Sequence, residues 1–147
     1  MSELNAISIP VVVNKESRAD AEGVMTQALK NEFVRYIAVT GEDKADAILY
    51  GVIEEYETRP SAYTLERVVA EYRLSVNMSF KLISAATGDL IWSDKVVRDY
   101  EDYPVDEANA LNTVEAEREA LRVLAAKISR EVFYRMAITQ AEGDKEK

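Results

Sequence analysis

The sequence predicts an α+β fold, a two-layer sandwich in which a four-stranded mixed sheet, in the order β-α-β-β-β-α, carries two helices on one face. Three observations lead there. From Glu71 to Leu82 polar and apolar residues alternate without a fault. Two stretches, about 18–36 and 113–137, repeat apolar residues at helical spacing. The first of these lies between β-branched runs that read as strands. An amphipathic helix and a half-buried sheet each satisfy one face only, so both helices belong on the apolar side of the sheet.

Residues 6–13, Ala-Ile-Ser-Ile-Pro-Val-Val-Val, predict the first strand. Pro10 has no N–H for a ladder bond and marks an edge or a bulge there. A helix follows from about Arg18 to Tyr36, with Ser17 or Asp20 as its cap. Ala21, Val24, Met25, Ala28, Leu29 and Phe33 form its apolar face. Ile37 to Val39 reads as a strand stub, and Gly41 to Lys44 as a turn. Ala45 to Thr58 predicts the second main strand and Pro60 to Arg67 a loop. The β-α-β unit so formed should cross over right-handed and give a parallel pair, with the remaining strands as a meander.

The strongest signal comes next. Tyr72, Leu74, Val76, Met78, Phe80 and Leu82 share one face, while Glu71, Arg73, Ser75, Asn77, Ser79 and Lys81 share the other. Period two over this length means a strand with one face on a core. Ala85 to Asp89 is a turn in which Gly88 supplies positive φ. Leu90 to Tyr100, with Trp92, is the returning strand, and Glu101 to Leu111 an acidic loop. The second helix runs from about Thr113 to Ala137, with Asn112 and Glu115 as a capping box. Leu121, Leu124, Ala125, Ile128, Val132 and Met136 form its stripe, and Glu115–Arg118 and Glu131–Arg135 pair on the solvent side. Residues 1–140 are expected to form one domain and 141–147 a disordered tail.

Length adds a constraint. The alternating stretch alone spans ~40 Å at ~3.3 Å per residue, about the diameter of a compact chain of this size. The strand ends and the 60–67 loop should therefore project. The face bearing Ser75, Asn77 and Ser79 suits water or a partner.

Composition excludes much chemistry. Among 147 residues there are 18 basic and 27 acidic side chains, with no His and no Cys. Zinc sites of the usual kind, His-assisted nucleophiles and redox dithiols are thereby excluded. A net charge of −9 argues against nucleic acid and against docking on an anionic membrane surface. No calcium loop and no Gly-rich phosphate loop is present, so no metal, cofactor or catalytic residue is assigned. Glu54 and Glu55 are expected on opposite strand faces, where they cannot act as an acid/base pair. No apolar run approaches the ~20 residues of a spanning helix, and Met1-Ser2-Glu3-Leu4 shows no secretory signal. A cytosolic chain and a mature chain trimmed of its leader both fit.

Several segments in order carry a resemblance. Ile7-Ser8-Ile9-Pro10-Val11-Val12-Val13-Asn14, Asp46-Ala47-Ile48-Leu49-Tyr50-Gly51-Val52-Ile53, Tyr72-Arg73-Leu74-Ser75-Val76 and Thr87-Gly88-Asp89-Leu90-Ile91-Trp92 resemble the strands and central hairpin of the lipopolysaccharide-assembly lipoprotein (LptE) family. The likeness spans roughly residues 6–137. It implies a non-enzymatic outer-membrane lipoprotein on the periplasmic face, anchored through a lipidated N-terminal Cys absent from this chain. It further implies a plug for the LptD-type β-barrel and a role in moving lipopolysaccharide to the outer leaflet. On that reading Met1 is not the native start. Other readings are another periplasmic α/β adaptor of a secretion or envelope-assembly complex, or a small His-independent hydrolase or isomerase.

Arg59, Arg67 and Arg73 bracket the projecting loop, and Lys81 lies farther along the polar face. Guanidinium groups take phosphate bidentately, so this end is a candidate for the phosphorylated sugars of lipopolysaccharide. Solvated strand-end charge is the plain alternative. Pro60, Tyr63 and Leu65 at the loop tip suit a partner better than water. Asp99, Glu101, Asp102, Asp106 and Glu107 read as a solvated acidic loop. Trp92, Tyr50, Tyr56 and Tyr72 read as core and sheet packing.

Overall fold

The computed structural model describes residues 4–16 and 20–145, with side chains described to residue 142. The predicted cap Ser17 and the predicted helix start at Arg18 lie outside the described residues. The fold is the expected α+β sandwich with a larger sheet. Six strands form it: β1 (Ala6–Ser8), β2 (Val13–Asn14), β3 (Ala38–Val39), β4 (Ala47–Tyr63), β5 (Val69–Ser84) and β6 (Leu90–Pro104). The order is β3-β1-β4-β5-β6, with β2 beside β4 below β1. Two helices, α1 (Ala21–Phe33) and α2 (Ala110–Lys145), complete the chain.

The first predicted strand is two strands because its backbone leaves the sheet around Pro10. The Val12 amide donates to Thr26 Oγ1 on α1 at 2.9 Å, and that hydroxyl donates to the Glu22 carbonyl at 2.6 Å. β1 and β2 both run parallel to β4 on either side of this detour. The stub at Ala38–Val39 pairs parallel with β1 as the sixth strand. Asp20 stands at the start of α1 with φ 50° and no side-chain cap, so the cap expected of it is not formed.

β4, β5 and β6 form an antiparallel meander. At ~3.3 Å per residue the 17 residues of β4 reach about 55 Å. Its paired length extends through Pro60 to Tyr63, so the expected 60–67 loop shrinks to 64–68. Likewise β6 continues to Pro104, and the first four residues of the expected acidic loop are strand. α2 begins at Ala110, which places Asn112 inside the first turn and rules out the capping box. Asp106 organises this entry instead: its carboxylate accepts from the Ala108 and Asn109 amides at 2.9 and 3.2 Å and from Asn112 Nδ2 at 2.8 Å. The backbone of α2 stays helical to Lys145, beyond the expected end at Ala137. Residues 146 and 147 of the expected tail lie outside the described residues.

The core sits between helices and sheet. Leu74, Val76, Met78, Phe80 and Leu82 on the apolar face of β5 are buried, as are Ala21, Met25, Leu29 and Phe33 of α1 and the whole predicted stripe of α2. Phe33 meets Phe133 edge-on at 5.2 Å, and Tyr36 stacks on the same ring at 4.2 Å, joining α1 to α2. Trp92 and Tyr56 lie in the core, and Tyr72 packs at its margin. Tyr50 does not: it is exposed on the opposite face of the sheet, because its register partner is Lys81. Among the described residues no helix is both long and apolar enough to cross a membrane.

Candidate functional site

The helix-free face of the meander holds a cleft toward the β4–β5 hairpin. Cross-strand register sets its content. Arg59 of β4 lies opposite Arg73 of β5, which lies opposite Asp102 of β6. One step along, Glu57, Ser75 and Tyr100 line up, and one further, Glu55, Asn77 and Arg98. Three arginines and three carboxylates thus share one surface. The three arginines, Glu55, Glu57 and Ser75 line an open cleft of about 660 Å³ together with Pro60 and Ser61.

Each arginine has its own acid. Arg73 donates bidentately to Asp102, Nε–Oδ1 at 2.8 Å and Nη2–Oδ2 at 3.2 Å. Its guanidinium also lies 3.9 Å from the centre of the Tyr100 ring, so it is fixed in both direction and plane. Hydrogen bonding from Arg73 holds the Asp102 carboxyl below the ordinary aspartate range, against a small desolvation effect. Arg59 pairs with Glu57 at 3.1 Å and Arg98 with Glu55 at 3.6 Å. These outer pairs are exposed, and such pairs contribute only about 0–1 kcal/mol each. An incoming phosphate can replace their carboxylates at little cost, whereas the Arg73–Asp102 pair is built to stay.

A bulge between Ile53 and Glu55 corrects the expectation for Glu54 and Glu55. The extra residue brings both carboxylates to the helix-free face. They are still not an acid/base pair, because each is committed elsewhere. Glu54 accepts from Lys15 at 2.6 Å and from Ser79 at 2.9 Å, which keeps its pKa below the usual carboxylate range.

Beyond the cleft the hairpin ends in an exposed tip. The Thr64 amide donates to the Val68 carbonyl at 2.8 Å and the Arg67 amide to the Thr64 carbonyl at 2.9 Å. Arg67 takes the left-handed conformation, φ 64°, that closes this tight turn and that glycine more often supplies. Leu65 is 99% exposed and Tyr63 61%, with Val68 and Pro60 also in solvent.

The structure therefore brings Arg59 and Arg73 together and sets Arg67, Pro60, Tyr63 and Leu65 at the adjoining tip. Lys81 is not part of this group: it lies eight positions along β5 from Arg73, roughly 26 Å at ~3.3 Å per residue. Among the described residues neither Arg67 nor Lys81 forms an ion pair. The sequence reading missed Arg98 and Tyr100, which the register of β6 delivers to the cleft. Their signal was present in the alternation of Val96, Arg98, Tyr100 and Asp102. Of the acidic run, Asp106 and Glu107 lie in the loop before α2 as expected, but Asp99, Glu101 and Asp102 are strand residues with partners. Asp99 and Glu101 face Lys127 of α2 at 3.6 and 3.2 Å, and Asp102 faces Arg73. No group of three or more Asp or Glu among the described residues could hold a metal ion.

The fold is shared with bacterial lipoproteins of known structure. A putative lipoprotein from Caulobacter crescentus superposes with a TM-score of 0.66 at 16% identity, covering 92% of this chain and 91% of that one. The rare lipoprotein B of Shewanella oneidensis gives 0.66 at 15%, covering 95% and 99%. A lipoprotein B of Nitrosomonas europaea gives 0.67 at 14%, covering 97% and 88%. At such identities the superpositions establish the fold alone. No curated protein matches the sequence. The family model named LptE, lipopolysaccharide-assembly, matches residues 4–136, and the chain belongs to that family.

Proposed function

We propose that this protein is an outer-membrane lipoprotein of the periplasmic face that plugs an LptD-type β-barrel and assists lipopolysaccharide on its way to the outer leaflet. The β4–β5 hairpin enters the barrel, with Pro60, Tyr63 and Leu65 as its contacts. Arg59 and Arg67, with Arg98 beside them, meet the phosphorylated sugars of the lipid, and Arg73 adds the Nη1 that its bonds to Asp102 do not use. The observation that carries the reading is the hairpin tip. A tyrosine 61% exposed and a leucine 99% exposed precede an arginine in the left-handed conformation, at the end of the β4–β5 hairpin remote from β1. Isolated apolar side chains are common in solvent, but a cluster at a projecting tip marks a contact surface. Family membership supports the lipopolysaccharide connection.

The work of such a site is binding, not bond-making. The cleft is charge-balanced, so it does not draw anions from a distance; it selects a group that can exchange with Glu57 and Glu55 on Arg59 and Arg98. Purification of the full-length protein from its own outer membrane should recover a large β-barrel partner, and its absence would overturn the plug. Charge reversal at Arg59 and Arg67 should weaken lipopolysaccharide binding by several-fold while leaving thermal stability in place. Unchanged binding removes these arginines from the site.

A further inference from the structure

The far edge of the sheet is closed by an unusual arrangement. β6 is the last strand, 15 residues long, and an unpaired edge of that length is a template for another strand. In its middle the outward groups are already taken by side chains. The Val96 amide donates to Asp94 Oδ1 at 3.1 Å and the Tyr100 amide to Asp99 Oδ1 at 2.8 Å. The Val96 carbonyl accepts from Arg135 Nη1 at 2.9 Å and the Tyr100 carbonyl from Lys127 Nζ at 2.8 Å.

The two cations match the edge in spacing. Lys127 and Arg135 are eight residues apart on α2, about 12 Å at ~1.5 Å per residue. Tyr100 and Val96 are four apart on β6, about 13 Å at ~3.3 Å per residue. Lys127 meets the later strand residue and Arg135 the earlier, so helix and strand run in opposite directions here. Each cation is braced: Arg135 by Glu131 and Asp94, both at 2.9 Å, and Lys127 by Glu101 at 3.2 Å. Between them a cavity of about 300 Å³ lies against Arg98, whose backbone groups alternation also turns outward. The helix packs on the sheet through its buried stripe, and these two long side chains reach past that contact to the outer edge of the strand.

We propose that Lys127 and Arg135, with Asp94 and Asp99, form a clasp that keeps the β6 edge from pairing with a second copy of this chain. The edge is self-complementary once the clasp is removed. Antiparallel pairing centred on Tyr100 sets Arg98 opposite Asp102 of the second copy, twice by symmetry, and stacks the two Tyr100 rings. The clasp occupies the donor and the acceptor of Tyr100, at the centre of this pairing, and those of Val96 farther along the same edge.

In the unaltered protein, hydrogen exchange read by NMR should be at least about tenfold slower at the Val96 and Tyr100 amides than at Arg98 on the same edge. Equal exchange at all three overturns the clasp. The variant Asp94→Ala/Asp99→Ala/Lys127→Ala/Arg135→Ala, which leaves net charge unchanged, should dimerise in a concentration-dependent way by light scattering. Adding Arg98→Pro should return it to monomer, because proline supplies no edge donor. A folded variant that stays monomeric, or association that survives Arg98→Pro, overturns the proposal. Should the variant not fold, the exchange measurement on the unaltered protein still decides.

Discussion

Glu117 of α2 accepts a hydrogen bond from the Tyr56 hydroxyl at 2.8 Å, across 61 residues of sequence. Its other oxygen accepts from Tyr103 at 3.0 Å. One helical carboxylate thereby holds β4 and β6 under the start of α2, close to the cleft on the other face. Hydrogen bonds to a charged group contribute about 1.5–3 kcal/mol. Glu117→Ala should lower unfolding free energy in urea by about 2 kcal/mol, and Glu117→Gln, which keeps an acceptor, by less. An unchanged midpoint for Glu117→Ala would show that this anchor is dispensable.

The Arg73–Asp102 pair predicts a pH response with a definite sign. Because the folded state depresses the Asp102 pKa, its contribution to stability is fully present above the unfolded aspartate value near 4. It is lost as pH falls through the lower folded value. Carboxyl titration by NMR should place Asp102 below an ordinary aspartate, and Arg73→Ala should bring it back up. No movement in that variant would mean the depression has another source.

Gly51 lies directly under a ring. A Cβ built there would stand 3.0 Å from Phe80 Cε1 and 3.4 Å from Val12 Cγ2, and Phe80 is buried. Gly51→Ala should cost about 1–3 kcal/mol by displacing the ring from its rotamer. Thermal melting at or above that of the unaltered protein would show that Phe80 yields freely.

Arg67 separates stability from binding. Its left-handed φ costs an L-residue roughly 1 kcal/mol, which Gly would relieve at some gain in unfolded-chain entropy. Arg67→Gly should therefore leave the melting temperature level or slightly raised while weakening lipopolysaccharide binding. A clear loss of stability would make Arg67 a structural residue of the turn.

Phe33 is fully buried against Phe133. Phe33→Ala should cost about 3–5 kcal/mol, and calorimetry showing a much smaller loss would mean that α1 and α2 repack across the gap.

Local pattern alone determined the two helices, the apolar face of β5, the tight turn at Gly88 and the parallel β-α-β start. Each of these rests on periodicity or on one residue's backbone freedom. Local pattern also pointed to Arg59, Arg67 and Arg73 and to the tip residues. Tertiary structure decided the rest, because the deciding contacts join distant residues. Thr26 draws Val12 out of the sheet and splits the first strand. Pairing with β5 extends β4 through Pro60 and carries β6 into an acidic run that reads as loop when taken alone. A single bulge after Ile53 moves Glu54 and Glu55 to one face. Register across three strands, which no single segment encodes, brought Arg98 and Tyr100 to the cleft and left Lys81 far from it.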